Sequence, residues 1–130
     1  MYHWVEHTAE LELRIEAETP EAVFADALAA LAELLANEHA GGPASFDVEL
    51  TAADRATLLV DWLGELVYLA ETKDFVPERT HELAVDENRV TAKVEGHVGR
   101  PSPLVKAVTY HGLELKDEGG VWKARLVLDV

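Results

Sequence analysis

From Arg55 to about Thr72 the chain reads as a helix with apolar residues over most of its circumference: Leu58, Leu59, Val60, Trp62, Leu63, Leu66, Val67, Tyr68 and Leu69. A helix with one apolar stripe needs one neighbour, but a helix apolar nearly all round needs to be enclosed. It is too short and too interrupted for a bilayer, so the rest of the chain has to supply its cover. Asp61 and Glu65 stand four residues apart on one face. That face is either a narrow solvated stripe or an acidic surface turned toward a site or a partner.

The flanking segments carry the period of strands. Leu11, Leu13 and Ile15 alternate with Glu10, Glu12, Arg14 and Glu16, which predicts a half-buried strand with its charged residues outward. Thr19-Pro20-Glu21 then supplies an N-cap, a first-turn proline and an acid at the positive end of the dipole. A first helix follows from about Pro20 to Ala36, with Phe24, Ala27, Leu28, Leu31, Leu34 and Leu35 on one stripe. Asn37 to Ala44, containing Gly41-Gly42-Pro43, reads as a loop with His39 solvated in it.

Phe46, Val48 and Leu50 alternate as a second strand. Leu83 and Val85 pair across the Asp86-Glu87-Asn88 turn with Val90, Ala92 and Val94. Gly96 to Pro103 reads as a loop. A segment with Lys106, Tyr110 and His111 comes next, ended by a glycine. In the final hairpin Trp122, Ala124, Leu126 and Leu128 face one side, and Lys123, Arg125 and Asp129 the other. The expected fold is α+β, two-layered: a mainly antiparallel β-sheet with two α-helices packed on one face, in a single domain spanning residues 1–130.

Charge narrows the function. Lys and Arg total 11 against 25 Asp and Glu, a net charge of −14. Phosphate backbones are repelled by such a surface, so no stable direct nucleic-acid binding is expected. A basic protein partner or bound cations suit it better, unless the charge serves solubility alone. With no Cys there is no disulfide and no cysteine nucleophile. No signal peptide or membrane span is visible, and a cytoplasmic protein is expected. Phosphate-cradling glycine loops, serine elbows and paired zinc-protease histidines are all missing from the sequence.

What remains is a set of polar residues at strand ends. His7-Thr8-Ala9-Glu10 precedes the first strand, and the chain closes on Asp129 and the terminal carboxylate of Val130. If the first and last strands are neighbours, Glu10, Asp129 and Val130 converge as hard oxygen donors, favouring Ca²⁺ or Mg²⁺ over Zn²⁺. The plainer alternative is that these acids are solvated and that His7 and His111 are structural.

Four stretches resemble the archease family: His7-Thr8-Ala9-Glu10, Leu59 through Leu69 with Asp61-Trp62-Leu63-Gly64-Glu65 at its centre, Val105 through Gly112, and Leu128-Asp129-Val130. The resemblance covers nearly the whole chain. It implies a sheet with two helices and a small acidic, non-catalytic cofactor of the RtcB-type RNA ligase of tRNA splicing and RNA repair. Such a cofactor promotes guanylylation of the ligase and its multiple turnover. The resemblance further implies a divalent cation, Ca²⁺ with Mg²⁺ or Mn²⁺ as alternatives, on Glu10, Asp129 and Val130. It makes Lys106 an activation residue and places His7, Asp61, Tyr110 and His111 toward the partner. Two departures stand out. Glu10 replaces the family's usual Asp, and only His97 and Arg100 remain of a longer polar stretch at Gly96 to Pro103. A chaperone-like interaction module and a hydrolase using Asp61, Glu65 or His111 are the rival readings. Assembly into a homo-oligomer is left open.

Overall fold

The computed structural model describes residues 1–36 and 41–130. Its elements are β1 (Tyr2–His7), β2 (Glu10–Ala17), α1 (Pro20–Leu35), β3 (Pro43–Thr51), α2 (Arg55–Lys73), β4 (Phe75–Val85), β5 (Arg89–Val98), β6 (Ala107–Glu118) and β7 (Val121–Asp129). The pairings are antiparallel throughout, as the alternation predicts. They divide into two sheets, ordered β1-β2-β7-β6 and β3-β5-β4. Alternation marks which face of a strand is buried but is blind to which strand lies beside it, so the division is not legible in the pattern.

Both helices start where their caps sit. Thr19 accepts from the Ala22 amide at 3.1 Å, and Asp54 accepts from the Thr57 amide at 2.7 Å. Asp74, in the left-handed region at φ 48°, ends α2 with its amide bonded to the Ala70 carbonyl. The enclosure of α2 is as its composition demands: nine of its residues are buried, among them Trp62, Leu63 and Leu66. Trp62 is locked to α1 by its indole N–H, which donates to the Phe24 carbonyl at 3.0 Å. One core joins both helices to both sheets, from Leu13 and Ile15 in β2 to Val94 in β5 and Leu126 in β7.

Five sequence expectations shift. Tyr2–His7 is an edge strand of its own, turned into β2 through Ala9, whose φ is 60°. Gly96-His97-Val98 extends β5 instead of opening a loop. A β-carbon at Gly96 would lie 2.0 Å from the Val76 carbonyl oxygen, so only glycine lets the two strands approach there. The Lys-Tyr-His segment runs on past Gly112 into β6. Glu12, expected in solvent, is buried. Pro43 and Ala44, read as the end of a loop, already belong to β3; the rest of that reading at residues 37–40, His39 included, lies outside the described residues.

Candidate functional site

The first turn, between β1 and β2, meets the end of the last strand. β2 pairs with β7 so that Glu10 is the direct partner of Asp129, and β6 adds Ala107 to the same rung. On the other side His7 pairs with Glu10. The Lys106 amide donates to the Asp129 carbonyl at 2.8 Å, and the Val130 amide to the Ala9 carbonyl at 3.1 Å. The fold therefore gathers Glu10, Asp129, Val130, Lys106 and His7 at one end of the four-stranded sheet.

This end holds an unbalanced charge. Residues facing each other across an antiparallel rung put their side chains on the same face, about 5 Å apart, where like charges repel. Among the described residues neither the Glu10 nor the Asp129 side chain has an ion-pair partner. Two half-buried, uncompensated carboxylates are a fit for a hard divalent cation. They are only two: among the described residues no three His, Asp or Glu side chains gather to hold an ion. A further donor would have to come from main-chain oxygen near this rung.

Four residues inward the same strands carry the opposite like-charge rung, Arg14 facing Arg125, and here the fold supplies its own counter-ion. Glu12 is 2% exposed and sits on the sheet face away from Leu13 and Ile15. One of its oxygens takes the Arg14 guanidinium; the other takes Arg125 Nη2 at 2.8 Å and lies 3.3 Å from His7 Nε2. The hydrogen bonds from Arg14 and Arg125 hold its carboxyl down at about 2, against the upward pull of burial.

Arg125 also reaches the other way. Its Nη1 donates to the Gly112 carbonyl at 2.7 Å. Between the rungs Thr109–Val127 and Glu114–Arg125, β7 advances through Leu126 alone while β6 spends Tyr110, His111, Gly112 and Leu113. The surplus bulges out of the sheet. On the side opposite Arg125, the Tyr110 hydroxyl donates to Asp61 on α2. The bulge is thus moored by a helix and by a buried ion cluster, and it leaves Tyr110 and His111 exposed. Of the residues expected from sequence, Asp61 and Tyr110 touch directly. His97 pairs instead with Glu78 across the smaller sheet, Nδ1 to Oε1 2.8 Å.

Tyr110's mooring has a measurable signature. Donating to a carboxylate favours the neutral phenol first, partial burial adds to that, and repulsion between phenolate and Asp61 adds a third push, so its pKa lies above the ordinary 10.0. A raised pKa in the folded state stabilises the fold below pH 10 and is lost as pH rises through the folded value. In a spectrophotometric titration Tyr2, raised by burial and Glu33, and Tyr110 should both ionise late, and Asp61→Asn should bring only Tyr110 down toward 10. Identical titration curves for the two proteins would refute the contact.

Glu12 and Arg125 are the residues that sequence reading missed. Both occupy polar positions of an alternating strand, where a solvated side chain is the default. Only the β2–β7 register, which sets two arginines face to face, creates the demand for a buried acid.

The profile of the Archease protein family (MTH1598/TM1083) matches residues 2–130. The chain belongs to the archease family. It is 35% identical to the protein archease of Methanosarcina mazei over 99% of this chain and 95% of that one. It is 33% identical to the archease of Methanopyrus kandleri, over 97% and 96% of the two. Among solved structures, the solution structure of protein 1598 of Methanobacterium thermoautotrophicum superposes with a TM-score of 0.73 at 27% identity, covering 99% of this chain and 98% of that one. A Thermotoga maritima crystal structure, described as an archease and possible chaperone, has the same fold, with a TM-score of 0.71 at 21% identity, covering 100% of this chain and 98% of that one. The expected two-helix, antiparallel α+β architecture is therefore that of the archease family. Among the described residues no helix is long and apolar enough to cross a membrane.

Proposed function

We propose that this protein is a non-catalytic activator of an RtcB-type RNA ligase, acting in the cytoplasm in tRNA splicing and RNA repair. Membership of the archease family supports the reading. The observation that carries it is the Glu10–Asp129 rung, an uncompensated acid pair with Lys106 fastened by its main chain to the same rung. Glu10 and Asp129, with an oxygen of Val130, would hold a divalent cation, Ca²⁺ or in its place Mg²⁺ or Mn²⁺. When bound, the cation supplies positive charge at the tip of an otherwise acidic protein. Glu10 keeps the carboxylate of the family's usual Asp on a stem one methylene longer.

The protein's own residues do the rest. The net charge of −14 steers this end toward a basic cleft in the partner. Lys106, for which no ion pair forms among the described residues, is left to engage a phosphate group of the ligase's nucleotide. His7, Asp61, Tyr110 and His111 face the ligase. No stable direct contact with RNA is part of the scheme.

Guanylylation of the ligase from the same organism tests it. Asp129→Ala and Lys106→Ala should each reduce stimulation by about tenfold or more. Wild-type stimulation by both variants would end the reading. The description of the Thermotoga relative favours a second possibility, a chaperone-like module, which light scattering of aggregating client proteins would reveal.

A further inference from the structure

Gly64 lies in the middle of α2, where a glycine costs about 1 kcal/mol relative to alanine. Nothing among the described residues requires it. Its φ is negative, and a β-carbon built on it would meet nothing within 4 Å. Gly96 and Gly112, by contrast, each face an atom 2.0 Å from where a β-carbon would stand. A glycine kept at a cost to its own helix, under open space, is suited to the close approach of another chain.

Its surroundings describe that chain. At 100° per residue Asp61, Gly64, Glu65 and Tyr68 fall on one face of α2, amid residues that are otherwise buried. Tyr68 and Tyr110 are each 58% exposed. Tyr110 is fastened to Asp61, one turn before Gly64, and Tyr68 stands one turn after it, so the two rings bracket the glycine about 10 Å apart along the helix. The stripe has two carboxylates and no cation. Exposed tyrosines beside acids match the planar guanidinium, which stacks on rings and pairs with carboxylates.

The geometry points to a docking surface, made by the open stripe of α2 and the β6 bulge, for an arginine-bearing segment of a protein partner. The partner's backbone settles on Gly64, its guanidinium groups lie over Tyr68 and Tyr110, and Glu65 and Asp61 take their charge. This deepens the reading of Asp61 and Tyr110 as partner-facing and rests on it to that extent.

Two probes separate the surface from the ligase. The first is hexa-arginine, titrated into isotope-labelled protein; the second is the ligase of the same organism. Hexa-arginine should move the amide signals of residues 61–68 and 110–111 before those of other acidic regions. Gly64→Leu should melt at or above the wild-type temperature, because leucine is the better helix former, yet bind the ligase about tenfold more weakly. Tyr68→Ala should bind more weakly too, while Glu49→Ala, which removes an exposed acid from the smaller sheet, binds as wild type. If Gly64→Leu and Tyr68→Ala bind both probes like wild type, or the peptide's shifts spread over the whole acidic surface, the inference is wrong. If the peptide maps to the stripe but the ligase does not bind wild-type protein, the ligase reading falls and the surface stands.

Discussion

Glu12→Ala is expected to destabilise the fold by about 2 to 3 kcal/mol and to lower its melting temperature by roughly 10 °C. The reason is what the substitution leaves behind. Arg14 and Arg125 are cross-strand partners, and the carboxylate between them is what makes that rung tolerable. Breaking a fully interior ion pair costs about 3 to 5 kcal/mol. The lower figure applies here because the two arginine side chains, 53% and 34% exposed, still reach water. Glu12→Gln keeps the shape and one acceptor oxygen but loses the charge, so it should fall between.

The pH dependence fixes the cause. The folded carboxyl titrates at about 2 and the unfolded one near 4.5. A depressed value stabilises the fold above the unfolded pKa, and that contribution drains away as pH falls toward the folded one. In urea titrations the gap between wild type and Glu12→Gln should be full at pH 7 and narrow steadily from pH 4.5 to pH 2. A gap of the same size at pH 7 and pH 2 would show that packing, not charge, holds the cluster.

How far the sequence reaches can be seen in these same strands. Leu11, Leu13 and Ile15 gave β2 its span, and Thr19 and Pro20 marked where the first helix begins, because period and capping are local. The meeting of Glu10 with Asp129 was conditional on a pairing that alternation does not specify, and the register of β2 on β7 supplies it. Glu12 was misplaced for the same reason: a polar residue at an outward position faces water unless a neighbouring strand covers it. Tyr110 and Asp61 are 49 residues apart, and the bulge that brings them together is a counting mismatch between β6 and β7. Neither strand alone reveals it.

Gly112→Ala should prove at least as damaging as the loss of Glu12, at about 2 to 4 kcal/mol, although it adds only one methyl group. Part of this is backbone. Gly112 has φ 65°, and an alanine held there is strained by about 1 kcal/mol. The larger part comes from where the methyl points: 2.0 Å from Arg125 Nη1 and 3.0 Å from its Cζ. A free arginine would swing away, but this one is held at both ends, by the Gly112 carbonyl at 2.7 Å and by Glu12 at 2.8 Å. Displacing it forfeits a charge-assisted bond at each end and loosens the bulge, so the late-ionising phenol of Tyr110 should drift back toward 10. Gly119, at the same φ but in open space, is the control: Gly119→Ala should show the backbone strain alone. A double-mutant cycle isolates the contact. With Arg125→Ala already in place, Gly112→Ala has nothing left to displace, and its effect should shrink to that of Gly119→Ala. An undiminished loss in that background would mean that the bulge is held by something other than the arginine.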